Sequence, residues 1–374
     1  MFSFIIPTHN RPDELARTLH SLRTLFAAAE SPAIRAEVII VDNASIPPAA
    51  APLELAPGVP VRVIHRDENE GAAARNVGAD AARGDWLIML DDDSAPLNRG
   101  FAHAIRDASA DTVAVAAEIT LESGGREAGG LPEVFIGCGV AIRRNAFLAA
   151  GGYDPSFHYY AEEYDLAARL IQRGGRITMD RRFRVLHRKV QAGRDMNLII
   201  GRLVRNNAWI IQRYAPRSER RARLRENFLR YLCIARKERA IRGWTAGAAE
   251  AIINLRRQPR RTMTTEHFDR FTGLAAARAG LAVAEELDGA RTVAIVDRGK
   301  NDWCIERALA EAGRTIVEDE SRADALIIGT LSPGPMLDAF ERRRALGQCV
   351  VAPWRPVDRP SPRTATTPAL AASA

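Results

Sequence analysis

The sequence predicts an α/β protein with a mostly parallel sheet flanked by helices, followed by a basic helical segment and a small C-terminal α/β unit. Two observations carry this prediction. Short apolar runs alternate with amphipathic segments through the first 215 residues, and apolar runs this continuous are typical of strands covered on both faces. The same alternation resumes after residue 290, behind a stretch rich in arginine.

Each element follows from its local pattern. Helix 12–29 is predicted because Leu15, Leu19, Leu22 and Leu25 share one face, and helix 197–214 is amphipathic in the same way. The other N-terminal elements are strands 2–6, 37–41, 61–65, 86–90 and 183–186 and helix 71–83. The C-terminal elements are strands 292–296, 315–317, 325–329 and 349–352 and helices 303–312 and 336–346. The predicted domains are residues 1–215, 216–289 and 290–356, with a disordered tail over 357–374.

Composition narrows the class of protein. The chain has 374 residues, a net charge of +7 and four cysteines, at positions 138, 233, 304 and 349, without the paired spacing of a zinc site or disulfide framework. Because the chain opens on a strand and has no long apolar run, we expect neither a signal peptide nor a membrane span. These features predict a cytoplasmic protein.

Positive charge is concentrated in the middle of the chain. Residues 181–261 hold 23 Lys or Arg against five acids, a local net charge of +18. This predicts an anionic partner, and peripheral contact with the inner face of the plasma membrane is one hypothesis. Sparse aromatic residues argue against nucleic acid, and solvated arginine faces remain the alternative.

Three consecutive carboxylates, Asp91, Asp92 and Asp93, follow the predicted strand 86–90. Acidic side chains at the carboxyl end of a buried strand favour a hard divalent cation shared with phosphates. A solvated acidic turn is the alternative. Two further polar loops, 7–11 and 42–45, follow neighbouring strands, and ligands of such sheets bind beyond these strand ends.

Six ordered blocks resemble the inverting, nucleotide-sugar-dependent family 2 glycosyltransferases, which have the GT-A (Rossmann-like) fold, over roughly residues 1–215. The blocks are residues 4–11, 38–45, 69–78, the acidic triplet 91–93, 137–154 and 162–170. Each block alone is weak, but six in the right order are specific. The resemblance implies transfer of a sugar from a nucleoside-diphosphate donor to an acceptor hydroxyl, as in polysaccharide or glycoconjugate biosynthesis.

The resemblance also implies roles for individual residues. It assigns Mn²⁺ or Mg²⁺ to Asp91 and Asp93, with His187 completing the metal shell. It assigns the nucleotide sugar to Pro7, Thr8, Asn10, Arg11, Asp42, Arg75, Asp91 and Asp92. Three alternatives stay open: an Asx-turn at Asp42, a surface position for Arg75 and a structural role for His187.

Inversion requires a general base near the acceptor hydroxyl. Glu162, Asp165 and Arg169 share a helix face that we interpret as a structural, solvent-side arrangement, with an ion pair between Asp165 and Arg169. Glu163 lies on the face turned toward the protein, where desolvation would raise its pKa. We therefore predict Glu163 as the base. The family more often has Asp there, which leaves Glu162 as the alternative.

Two other functions compete with this interpretation. A sugar-1-phosphate nucleotidyltransferase would also need acidic metal ligands, but the loop after the first strand lacks the Gly-rich, basic character that a triphosphate requires. A catalytically inactive GT-A domain that binds a membrane or glycan is the other candidate. The acceptor, the donor base and the role of the C-terminal unit cannot be read from the sequence.

Overall fold

A nine-stranded mixed sheet forms the centre of the N-terminal region. The computed structural model describes residues 1–27, 34–189 and 195–357 of the chain. The strands are β1 (Phe2–Thr8), β2 (Ala36–Asn43), β3 (Glu54–Ala56), β4 (Val59–Arg66), β5 (Trp86–Met89), β6 (Ser94–Pro96), β7 (Thr112–Leu121), β8 (Val140–Arg143) and β9 (Arg176–His187). Their order in the sheet is β3-β4-β2-β1-β5-β8-β7-β9-β6.

Four of the predicted strands form the parallel part of this sheet. Strands β4, β2, β1 and β5 are neighbours, and every residue of β2 is buried, as expected for a strand covered on both faces. Thr8 pairs with Asp42 at the end of β1 and β2. The loops after β1, β2 and β5 therefore open on one edge of the sheet.

The other part of the sheet contains strands that the sequence analysis did not assign. Strand β8 is antiparallel to both of its neighbours, β5 and β7, and β6 is antiparallel to β9. Strands β7 and β9 are parallel to each other. Strands β6 and β8 have three and four residues, too few for an alternating pattern to be visible. The α/β class with helices flanking a large sheet is confirmed.

Twelve α-helices are described. Their bounds are α1 (Pro12–Ala27), α2 (Ala74–Ala81), α3 (Gly100–Arg106), α4 (Arg144–Ala150), α5 (Glu162–Gln172), α6 (Met196–Tyr214), α7 (Arg217–Lys237), α8 (Ile241–Asn254), α9 (Thr265–Thr272), α10 (Leu274–Ala282), α11 (Asp302–Glu311) and α12 (Pro333–Ala345). The predicted helix 71–83 begins as a 3₁₀ turn, because Gly71 has a φ of +63° that breaks the α-helical path. The last two residues of predicted helix 12–29 lie outside the described residues.

Glycines bring the backbones of α6 and α8 into close contact. A Cβ on Gly243 would lie 2.0 Å from the carbonyl oxygen of Asn197, and one on Gly247 would lie 2.1 Å from that of Gly201. The basic segment is thus a packed helical unit. Across residues 1–27, 34–189 and 195–357, no helix combines the length and hydropathy that crossing a bilayer requires.

The small C-terminal sheet is fully parallel. Its strands are β10 (Thr292–Val296), β11 (Thr315–Ile316), β12 (Ala325–Ile328) and β13 (Val350–Val351), in the order β11-β10-β12-β13. One hydrophobic cluster extends from Ile5 of β1 to Trp354, so this unit packs on the first through a shared core. Val357 bridges to Asp180, and the rest of the predicted tail lies outside the described residues. The domain boundaries stay predictions.

Candidate active site

The acidic triplet lies where β5 ends, and its carboxylates point in different directions. Arg11, from the loop after β1, forms ion pairs with Asp92 and Asp93, each at 2.7 Å, and donates a hydrogen bond to Asp93 Oδ2. Thr8 Oγ1 donates to Asp92 Oδ2 at 2.9 Å. Asp91 is the more exposed of the three and pairs with Arg75. The first strand's loop therefore neutralises two of the three carboxylates.

The electrostatic environment shifts the pKa values of Asp92 and Asp93 in opposite directions. Burial raises the pKa of Asp92 to about 7, against the opposing charge of Arg11. Burial acts the same way on Asp93, but hydrogen bonds from His187 and Arg11 outweigh it and hold the pKa of Asp93 below its usual range. Asp93 therefore stays ionised at neutral pH.

His187 reaches the triplet because β6 pairs with β9. Ser94 and His187 are partners in that ladder, and His187 Nε2 lies 3.3 Å from Asp93 Oδ1. On the other side of the ring, His187 Nδ1 lies 2.8 Å from Glu127 Oε2. Burial favours the neutral imidazole, but hydrogen bonds with Asp93, Cys138 and Glu127 raise the pKa of His187.

Asp91, Cys138 and His187 form a group of potential metal ligands. One ligand atom from each lies within 4.8 Å of the others. Carboxylate and imidazole suit Mg²⁺ or Mn²⁺ and the transition metals, whereas a thiol favours softer ions. The donor set therefore fits a divalent cation that both Asp91 and His187 contact.

The two nucleoside loops are held together by their own side chains. Asn10 has a φ of +53°, its backbone N–H donates to Ser45 Oγ, and its side-chain oxygen accepts from the N–H of Ile46. Pro7 lies inside β1, one residue before Thr8. The loops after β1 and β2 thus form one rigid rim at the sheet edge.

Both carboxylate oxygens of Asp42 are engaged in hydrogen bonds within the protein. Its carboxylate accepts from the backbone N–H of Ser45 at 3.0 Å and of Ala49 at 2.9 Å, and it contacts His65 Nδ1 at 2.9 Å. Burial would raise the pKa of Asp42, but these hydrogen bonds lower it. These contacts correspond to the alternative in which Asp42 forms a turn. The ring of His65 is half-exposed, so solvent reaches His65 and not Asp42.

Arg75 is buried rather than on the surface. The guanidinium is 4% exposed, donates to the carbonyl of Leu90 at 3.1 Å and pairs with Asp91. The surface-residue alternative for Arg75 is therefore wrong, because its side chain packs against the end of β5 and Asp91. Arg75 and the triplet Asp91–Asp93 together form what we call the acidic edge of the sheet.

Two buried carboxylates open helix α5. Glu163 Oε1 accepts from the backbone N–H of Gly137 at 3.2 Å, and its side chain stays partly exposed. Glu162 is 7% exposed, and its Oε2 makes no hydrogen bond within the described residues. Burial raises the pKa of both groups, and the charge of Glu163 adds to the effect on Glu162. The charges of Arg75 and Asp91 act on both, which places the pair beside the acidic edge.

The predicted ion pair between Asp165 and Arg169 is present, but its predicted solvent-side position is wrong. Asp165 is 1% exposed, accepts from Arg169 Nε at 2.9 Å and forms an ion pair with Arg169 Nη2 at 2.7 Å. Arg213 at 2.9 Å and the hydroxyl of Tyr214 at 2.7 Å also donate to it. Arg213 and Tyr214 belong to helix α6, which covers this face of α5. The spacing of residues within α5 shows that they share a face, but it does not show that another helix covers that face.

Sequence reasoning missed Glu127 and the position of Cys138. Glu127 orients His187 and pairs with Lys189 at 2.6 Å. Cys138 Sγ lies 3.7 Å from His187 Nδ1. Neither carries a local signal, because their partners are 60 and 49 residues away.

Comparisons with known proteins agree with this architecture. The model of the family described as "Glycosyl transferase family 2" matches residues 3–164. An uncharacterized glycosyltransferase of Haemophilus influenzae is 28% identical over 207 residues, covering 46% of this chain and 62% of that protein. The pre-mycofactocin glycosyltransferase of Mycobacterium tuberculosis is 29% identical over 198 residues, covering 46% and 39%. The chain therefore spans less than two thirds of either relative.

Solved structures with a similar fold include the mannosyltransferase PcManGT of Pyrobaculum calidifontis, solved with GDP-Man and Mn²⁺. The match covers 83% of this chain and 85% of the chain of that mannosyltransferase, at 15% identity and a TM-score of 0.44. The family match spans the three polar loops, the acidic triplet and the start of α5. Residues 3–164 of this chain thus match the model of glycosyl transferase family 2.

Proposed function

We propose that this protein transfers a sugar from a nucleoside-diphosphate donor to an acceptor hydroxyl, with inversion at the sugar carbon. The observation that carries the proposal is that several charged groups lie together at one edge of the sheet. Ionised Asp93, the Asp91–Arg75 pair and the buried carboxylates of α5 all meet there. A donor diphosphate and an acceptor hydroxyl need these two kinds of group side by side.

A divalent cation, Mn²⁺ or Mg²⁺, would be held by Asp91, Asp93 and His187. When bound, it would supply positive charge to the donor diphosphate as the nucleotide departs. Glu127 would fix the ring of His187 through Nδ1, as partners of metal-bound histidines do. Cys138 is a further candidate ligand at the same position.

Donor binding would use the rim formed by the first two loops. Pro7, Thr8, Asn10 and Arg11 lie on that rim, beside Asp92 and Arg75. Arg11 is 37% exposed and could exchange a carboxylate for a phosphate oxygen, since both accept paired guanidinium hydrogen bonds. Asp42 would act by holding the turn and His65, because its own oxygens are engaged.

Glu163 would be the general base. It is partly exposed, whereas Glu162 is buried, and a base must touch the hydroxyl whose proton it takes. The N–H of Gly137 holds one oxygen of Glu163 in place. Burial raises the pKa of Glu163, which strengthens the carboxylate as a proton acceptor. Glu162 stays the alternative.

Thermal unfolding in the presence of UDP-, GDP- and dTDP-sugars, with and without Mn²⁺, tests the proposal. We expect one nucleotide to stabilise the wild type only when metal is present. Asp93→Asn should lose that stabilisation, and Asp80→Asn, an exposed carboxylate on α2, should keep it. If no nucleotide stabilises the wild type with either metal, the transferase proposal fails and an inactive, ligand-binding domain is favoured.

Contact of the basic segment with anionic membranes is a separate part of the proposal. Residues 181–261 carry a net charge of +18, and apolar side chains on its helices, Leu198, Leu229, Ile252 and Ile253, are exposed. Flotation with vesicles of anionic or of neutral lipid tests it. Equal binding to both would remove the membrane hypothesis without touching the transferase proposal.

A further inference from the structure

A cavity with both polar and apolar walls lies beside α5. It measures about 100 Å³, several times the space that one water molecule needs. Its polar lining includes Tyr164 of α5, Arg223 and Arg230 of α7, and Lys300 from the loop after β10, and helices α6 and α9 also contribute to the wall. The cavity therefore lies where the C-terminal unit meets α5 and the basic helices.

The position of Lys300 in its own sheet is one where α/β proteins bind ligands. Strand β10 lies between β11 and β12, so the chain leaves β10 at the point where the strand order reverses. Crevices beyond the carboxyl ends of strands at such a point are the usual ligand sites of open parallel sheets. The loop after β10 also precedes α11, whose N-terminal end carries partial positive charge.

Positive charge in the cavity exceeds negative charge. Arg223 and Arg230 are seven residues apart and share the face of α7 that lines the cavity. Glu226 lies on the same face but pairs with Arg223 at 2.6 Å. Arg230 makes no hydrogen bond or ion pair with any described residue, and Lys300 reaches only the hydroxyl and ring of Tyr164.

The two unpaired cations disfavour each other. Burial and the charge of Arg230 lower the pKa of Lys300 to about 7. A bound anion would relieve this repulsion and accept hydrogen bonds from both side chains. Trp303, Phe268 and Phe271 line the remaining wall, so the site suits an anionic group attached to an apolar or ring-shaped body.

We propose that this cavity binds the phosphate or carboxylate of the acceptor, held by Arg230 and Lys300 beside the catalytic helix. This inference rests on the proposed glycosyl transfer. Tyr164 links the two places, because it follows the proposed base Glu163 directly in α5. The C-terminal unit would thus select acceptors by their charge.

Binding of inorganic pyrophosphate to the full chain tests the site without knowledge of the acceptor. Thermal unfolding is followed with EDTA present and at constant ionic strength, so that neither metal-dependent donor binding nor salt contributes. The variants are Arg230→Gln and Lys300→Gln. The matched control is Arg225→Gln, which removes an exposed arginine from the same helix off the cavity face.

We expect pyrophosphate to stabilise the wild type and Arg225→Gln equally. Arg230→Gln and Lys300→Gln should each bind it about tenfold more weakly or worse, as loss of a charge-assisted contact implies. Absence of stabilisation in the wild type, or equal stabilisation in all four proteins, overturns the inference. Stabilisation by nucleotide sugar and metal should persist in all four, and its absence everywhere would reject the proposed function instead.

The source of the anionic group is resolved by competition. Glucose 6-phosphate and farnesyl phosphate in detergent, each compared with the corresponding alcohol, are tested for displacement of pyrophosphate. Displacement by the sugar phosphate indicates a soluble acceptor, and displacement by the prenyl phosphate indicates a lipid-linked one. If the alcohols displace pyrophosphate as well as the phosphates do, the cavity does not recognise charge and the inference fails.

Discussion

Removal of the Asp165 carboxylate should destabilise the protein without touching the proposed chemistry. Asp165 is 1% exposed and accepts from Arg169, Arg213 and Tyr214. Asp165→Ala would leave two guanidinium groups, each less than 10% exposed, without their shared counter-charge. An uncompensated buried charge is among the most costly single changes in a folded protein.

The size of the effect follows from which contacts survive. Breaking a buried ion pair by deleting one partner costs about 3–5 kcal/mol. Here Arg213 would keep Asp154 at 2.7 Å, and Arg169 would keep the carbonyl of Ala150. The expected loss is therefore at the lower end, about 3 kcal/mol, which corresponds to a fall in Tm of about 4 °C for a chain of this length.

Thermal and urea unfolding of Asp165→Ala beside the wild type would measure this loss. Asp111→Ala is the control, since Asp111 is exposed and its ion pair with Arg176 is long, at 3.9 Å. We expect no measurable change in the control. Equal stabilities of Asp165→Ala and wild type would refute the reasoning, because they would mean that the two arginines find water or other partners at no cost.

Four further outcomes are expected. Glu163→Gln should lower kcat by about 10²–10⁴-fold while nucleotide-dependent stabilisation persists, and single-turnover assays would show a normal rate if Glu163 is not the base. Because only the ionised form accepts a proton, kcat of the wild type should fall as the pH drops through the raised pKa of Glu163, and this limb should vanish in the Gln variant. Glu127→Ala should weaken metal binding about 10–100-fold by freeing the ring of His187, as metal titration of nucleotide-induced stabilisation would show. Gly71→Ala should unfold at lower temperature than wild type, because its Cβ would meet His158 at 2.2 Å and its φ is positive, whereas Gly58→Ala, with nothing within 4 Å, isolates the φ effect.

The polar edge of the sheet was predictable because its signals are local. Each of β1, β2 and β5 is a short apolar run that ends in polar residues, and parallel pairing brings those ends together. Ordered motifs then indicated the resemblance to family 2 glycosyltransferases, whose family model matches residues 3–164. The same sequence did not show the antiparallel strands, since β6 and β8 are shorter than any period that reveals a strand.

Contacts between distant segments limited the prediction of the site. Glu127 reaches His187 across 60 residues, and Arg213 reaches Asp165 across 48. Helical period placed Asp165 and Arg169 on one face correctly, but only the docking of α6 decides that this face is buried. Burial of a helix face is a tertiary property, so an ion pair read from sequence spacing can lie in the core.

Hydrogen bonding distinguishes Asp165 from the two glutamates at the start of α5. Asp165 has both oxygens engaged by Arg169, Arg213 and Tyr214, which is how a folded protein accommodates a buried charge. Glu162 is almost as deeply buried, but one of its oxygens has no hydrogen-bond partner among the described residues, whereas Glu163 is partly exposed and accepts from the N–H of Gly137. An unsatisfied buried carboxylate costs stability, so the position of this pair beside the acidic edge supports the proposed role in binding and proton transfer.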